Sequence, residues 1–101
     1  MNKNLIMIAS TITCLFAIPG YAASGKDVYT TACFVCHTTG AANAPKTGDK
    51  LTWAPRIKAG MEGLYGSALN GKNAMPAKGG NASLDDADVK AAVDYMVGQS
   101  Q

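Results

Sequence analysis

Cys33-Phe34-Val35-Cys36-His37 constrains this chain more than any other stretch. Two thiols three positions apart lie on neighbouring faces of one helical turn and can bond the same edge of a porphyrin. C-x-x-C-H is the pattern of c-type haem attachment. The following histidine is then carried under the ring, where its imidazole can serve as the proximal axial ligand. Other readings of these residues fare worse. A zinc site wants four ligands, and the chain adds only Cys14 to these three, with no second histidine. A thioredoxin-like pair wants a βαβ context, and no strand alternation persists beyond a few residues. A plain structural disulfide has no support beyond the spacing.

The N-terminus says where such chemistry takes place. Lys3 supplies a short positive region, 5–18 is an apolar run, and Pro19-Gly20-Tyr21-Ala22-Ala23 gives a break with small residues. That is the layout of a secretory signal peptide, 1–22, with cleavage after Ala22 or alternatively after Ala23. At 14 residues, the apolar run is short of the roughly 20 that span a bilayer. Cys14 leaves with it, and the mature chain keeps only the two thiols of the motif. The expected location is the periplasm, with no stable membrane insertion after cleavage.

Residues 23–101 form one small domain of 79 residues. A chain of this size buries only about 60% of its unfolded surface and usually needs a staple. A covalently held porphyrin, with its large rigid apolar surface, is the natural one, and the apo form is expected to be largely unfolded.

The patterning is helical. Ser24 with Asp27 makes a capping-box-like start, and Gly25, Val28, Tyr29, Ala32 and Cys36 follow at helical spacing into the motif. Pro55 suits the first turn of a short helix ending near Gly60. Met61, Leu64, Tyr65, Ala68 and Leu69 mark a third helix that stops at Asn70-Gly71. Asp85 and Asp88, with Leu84 and Val89 as a staple, open a last helix running to about Gly98. Segments 38–50 and 71–83 read as loops.

One axial histidine leaves the sixth iron position to a methionine or to nothing. Met96 falls on the apolar stripe of the last helix, where packing explains it. Met61 opens a helix. Met75 lies in Ala74-Met75-Pro76, where no amphipathic period accounts for an apolar side chain and Pro76 stiffens the backbone. Met75 is therefore the expected sixth ligand. Trp53 and Arg56, three apart, can present an indole N–H and a guanidinium from one helical turn; the alternatives are a half-buried core Trp and a solvated Arg, and spacing does not choose.

With those residues in view, the chain resembles the class I cytochromes c, most closely the bacterial cytochrome c5 group. Matching stretches include Gly25-Lys26 with Val28-Tyr29, the Cys33-to-His37 motif, Ala44-Pro45-Lys46, Gly48-Asp49-Lys50, Trp53-Ala54-Pro55-Arg56-Ile57, Ser67-Ala68-Leu69-Asn70-Gly71, Ala74-Met75-Pro76 with Gly79-Gly80, and Lys90 to Met96. The resemblance implies an all-α class I fold, about four helices wrapped around one haem attached at Cys33 and Cys36. It implies crossed first and last helices, with Gly25 and Tyr29 near Tyr95, and iron held by His37 and Met75. It favours Trp53 and Arg56 as pocket residues serving a propionate. It also implies that the Pro45 carbonyl accepts the second imidazole N–H of His37. One departure is evident: several members of the group carry a cysteine pair where this chain has Asn81, Ala82 and Ser83. Lower stability and a looser Met75 loop are the expected consequences.

Charge bears on partners. Residues 23–101 hold 8 basic and 7 acidic side chains, but 46–78 hold 6 basic against 2 acidic and 81–101 hold 1 against 4. Positive loops around a redox centre can steer an acidic partner, although a merely solvated lysine face has the same composition. Nothing points to nucleic acid. The expectation is a periplasmic one-electron carrier, a monomer or weak dimer, serving protein donors and acceptors such as a terminal oxidase. No general base is left once His37 is a ligand, so an enzyme is not expected. Two alternatives stay open: an open-site haem protein with gas-binding or peroxidase-like chemistry, and an electron-entry subunit of a larger oxidoreductase.

Overall fold

The computed structural model describes residues 24–101, and the signal-peptide and Cys14 readings lie outside those residues. The described chain is all-α. Its N-terminal helical run, 25–39, is three pieces end to end: α1 (Gly25–Val28), a π turn (Tyr29–Cys33) and α2 (Phe34–Thr39). Then come α3 (Lys50–Ala59), α4 (Met61–Asn70) and α5 (Asp86–Gln99), with 3-10 turns at Ala41–Asn43 and Ala77–Gly80. Among the described residues no helix is long and apolar enough to cross a membrane.

Ser24 caps α1 as its sequence suggests, with Oγ accepting the Asp27 N–H at 3.2 Å. The π turn is not announced by any breaker. Thr30 and Thr31 hydroxyls donate back to the carbonyls of Lys26 (2.8 Å) and Asp27 (3.1 Å), competing with the backbone for those acceptors. Such a bulge re-aims the residues after it, here Cys33 to His37.

One element boundary and one cap differ from the sequence reading. The helix expected to start at Pro55 begins five residues earlier, at Lys50, and Pro55 sits inside it. Its start is set by Asp49, whose carboxylate accepts the Thr52 N–H (3.3 Å) and the Thr52 hydroxyl (2.5 Å). A cap of this strength outweighs the one bond that proline withholds. At α5, Asp85 is the N-cap residue but its side chain makes no capping bond. The start is carried by Asp86 and Asp88 in the first turn, favourable at the positive helix end. The segments read as loops are also partly ordered: α2 runs on to Thr39, and Lys72 and Met75 exchange backbone hydrogen bonds of 3.0 and 2.9 Å.

The first and last helices cross at Gly25. A Cβ there would lie 2.1 Å from the Ala91 carbonyl oxygen, so only glycine permits the approach. Tyr29 and Tyr95 pack at this crossing, ring centroids 5.2 Å apart. The core is Val28, Tyr29, Trp53, Ala68, Val89, Ala92, Val93, Met96 and Val97. Several of these face a cavity rather than one another, so the helices enclose a space.

Candidate functional site

That space is a cavity of about 880 Å³. Cys33, Cys36 and His37 reach its wall from the N-terminal run, Trp53 and Arg56 from α3, and Met75 from the loop after α4. Val28, Leu64, Ala68, Val89, Val93 and Met96 give it apolar walls. The charged side chains on it are Arg56, Lys72 and Lys78, with no carboxylate among them.

His37 is 7% exposed, and its Nδ1 lies 2.8 Å from the Pro45 carbonyl oxygen. A carbonyl can only accept, so Nδ1 carries the proton and Nε2 keeps the lone pair that a metal needs. The Thr47 N–H in turn donates to the His37 carbonyl at 2.8 Å. The imidazole is thus oriented by the segment that follows the motif, and such a bond makes the other ring nitrogen a better donor to a metal. Burial pushes the Cys33 thiol above its ordinary range. That is opposite to the depressed value of a redox-active thiolate and argues against the thioredoxin-like reading. No group of three or more His, Cys, Asp or Glu side chains among the described residues is arranged to hold a metal ion, which leaves the zinc reading short of ligands.

Met75 is half-buried on the cavity wall at the end of a tight turn in which Asn73 takes φ +53°. The loop is pinned against the N-terminal run at Gly79, where a Cβ would lie 2.4 Å from the Ala32 carbonyl oxygen. Lys78 holds the same loop to α5: its Nζ donates to the Leu84 carbonyl (2.8 Å) and pairs with Asp86 (3.0 Å). Met96 is buried at 4% exposure in the core. Met61 packs on the core from outside and does not reach the cavity.

Trp53 and Arg56 both line the cavity, and within the described chain each gives one donor to a backbone carbonyl. The indole N–H donates to the Lys46 carbonyl at 2.9 Å and one guanidinium N–H to the Thr52 carbonyl at 2.7 Å. The 45–48 segment passes over the indole edge and offers its own acceptor there. Trp53 enters as a wall, its ring centroid 6.3 Å from that of His37. Lys78 and Ser100 are residues that sequence reasoning missed. Neither stands out in the sequence, and Ser100, followed only by Gln101 here, carries no periodic signal.

Two thiols and an oriented imidazole from a C-x-x-C-H run open onto one apolar cavity in an all-α frame, and that combination is the one a monohaem cytochrome c presents. Residues 20–96 match the family model described as "Cytochrome C oxidase, cbb3-type, subunit III", and the chain belongs to this family of cytochrome c domains. It is 55% identical to cytochrome c-555 of Chlorobaculum tepidum over 79% of this chain and 78% of that one. It is 47% identical to cytochrome c5 of Azotobacter vinelandii over 78% and 98%. Among solved structures, the cytochrome c in an electron transfer complex with nitrite reductase superposes with a TM-score of 0.73 at 48% identity, covering 76% of this chain and 94% of that one. A mono-haem ferrocytochrome c from Shewanella putrefaciens gives 0.67 at 37%, covering 78% and 96%. The chain carries one covalently attached haem c and serves electron transport.

Proposed function

We propose that this protein is a periplasmic one-electron carrier in which Cys33 and Cys36 hold the haem and His37 and Met75 ligate its iron through both oxidation states. Bound, the haem supplies a one-electron iron couple. The chain supplies the rest: thioethers fix the ring, the Pro45 carbonyl orients His37, and Gly79 and Lys78 hold the Met75 loop. Trp53 and the apolar walls keep water from the site, Arg56 offers a guanidinium to a propionate at its edge, and methionine ligation raises the potential. The reading is carried by one observation: His37 and Met75, from separate segments, reach one cavity. The absorption spectrum tests it. A low-spin ferrous spectrum unmoved by carbon monoxide, with a weak ferric Fe–S band that disappears in Met75→Ala, is expected. Rapid carbon monoxide binding with a high-spin ferric form would instead give the open-site reading.

The partner is a redox protein with an acidic docking surface. Arg56, Lys72 and Lys78 on the cavity and exposed Lys46, Lys50 and Lys58 nearby in sequence support this. The association rate should then fall as ionic strength rises; stopped-flow reduction across a salt series that shows no slope would remove the charge argument. The family model's description favours a second reading, an electron-entry subunit of an oxidase. The 98% coverage of cytochrome c5 supports a free shuttle instead. Size analysis of the native protein separates the two, a monomer supporting the shuttle.

A further inference from the structure

Besides a local turn bond from the Asp49 N–H to the Lys46 carbonyl (3.1 Å), the strap Pro45–Gly48 is held by its backbone to the rest of the fold at four points. The Pro45 carbonyl accepts His37 Nδ1–H at 2.8 Å and the Lys46 carbonyl accepts Trp53 Nε1–H at 2.9 Å. The Thr47 N–H donates to the His37 carbonyl at 2.8 Å, and the Gly48 N–H donates to Ser100 Oγ at 2.9 Å. The strap's own hydroxyl contributes nothing, since Thr47 Oγ1 is buried without a partner among the described residues. Two of the four anchors lie on His37 itself and one on its neighbour Trp53. The fourth comes from the far end of the chain, 52 residues from Gly48.

Ser100 is built for this. It is 1% exposed, the most deeply buried polar residue described. Its hydroxyl has one proton, given to the Met96 carbonyl at 2.7 Å, so a lone pair is left facing Gly48. A cap serving α5 alone would need only the first of these bonds. The second ties the end of α5, beside core residues Met96 and Val97, to the strap whose carbonyl orients the imidazole.

We propose that Ser100 is a positioning residue for His37, setting through Gly48 and the 45–48 strap how firmly the Pro45 carbonyl holds the imidazole N–H. This rests on His37 being the iron ligand. A firm Nδ1–H bond makes the ring more basic and favours the ferric state. Loosening the strap therefore shifts the reduction potential upward.

The test uses the full haem-loaded protein, with Ser100→Ala to remove the hydroxyl and Ser100→Thr to keep it. Ser100→Cys, nearly isosteric and weak in hydrogen bonding, serves if alanine does not fold. In Ser100→Ala, hydrogen exchange at the Gly48 and Thr47 amides and His37 Nδ1–H should accelerate about fivefold, the ratio that corresponds to losing about 1 kcal/mol of one neutral bond. The amides of α4 should change less, the potential should shift upward, and Ser100→Thr should restore wild-type values. An unaltered potential with uniformly faster exchange would overturn the proposal and leave Ser100 a helix-end cap. The wild-type spectrum is read separately. A wild type without low-spin His37 ligation defeats the functional reading, whereas a normal wild type with indifferent variants defeats this inference alone.

Discussion

At the residue scale, Asp49 shows how one side chain can be read through pH. Its carboxylate accepts both the hydroxyl and the N–H of Thr52, and these bonds hold it below the usual carboxylate range, the side-chain bond contributing most. The charged form is the one stabilised in the folded state. Its contribution is therefore complete above the unfolded value near pH 4 and is lost as pH falls through the lower folded value. Thermal melts between about pH 2 and 6 should show an acid decline in the wild type that is shallower in Asp49→Asn. Equal slopes would mean that the cap does not survive in solution. Tyr65 titrates in the other direction: its hydroxyl donates to the Asp94 carboxylate, which pushes its pKa up and keeps it protonated.

At the element scale, glycines that look alike in sequence separate by what surrounds them. Gly79 has φ +61° and a Cβ there would meet the Ala32 carbonyl at 2.4 Å, whereas Gly63 in α4 has nothing within 4 Å. Gly79→Ala should cost about 1–3 kcal/mol through strain and overpacking and push the Met75 loop outward, weakening the ferric Fe–S band. Gly63→Ala should stabilise by up to about 1 kcal/mol, since alanine is the better helix former. Thermal melts of the two variants check the opposite signs. The same scale explains what sequence could convey. The C-x-x-C-H motif and the stripe of α5 were legible because each is a local pattern with one structural solution, whereas the Gly25 crossing came only with the resemblance to a known family. The π turn was not legible, because hydroxyl back-bonding by Thr30 and Thr31 leaves no breaker in the sequence. Nor was the true start of α3: Pro55 is a strong punctuator, and the stronger cap at Asp49 shows only when Thr52 is seen folded against it. The anchors Lys78 and Ser100 act over the tertiary fold, and no window of sequence contains them and their partners.

At the scale of the whole molecule, the size of the cavity decides what holds the fold together. An apolar space left unfilled deprives its walls of the contacts they would otherwise make, and a chain this small has little stability to spare. The helices that enclose the cavity share part of their apolar surface with it: Val28, Ala68, Val89, Val93 and Met96 belong at once to the core and to the lining. Without a ring filling the space, those residues have no partners across it, and no disulfide is available once Cys33 and Cys36 are thioethers. Folding is therefore expected to depend on haem attachment. A Cys33→Ala, Cys36→Ala variant prepared without haem should lose most of its helical circular dichroism and melt without a cooperative transition. A fully helical, cooperatively melting apo-protein would show instead that the crossing of α1 with α5 at Gly25 suffices as a scaffold and that haem enters a fold already made.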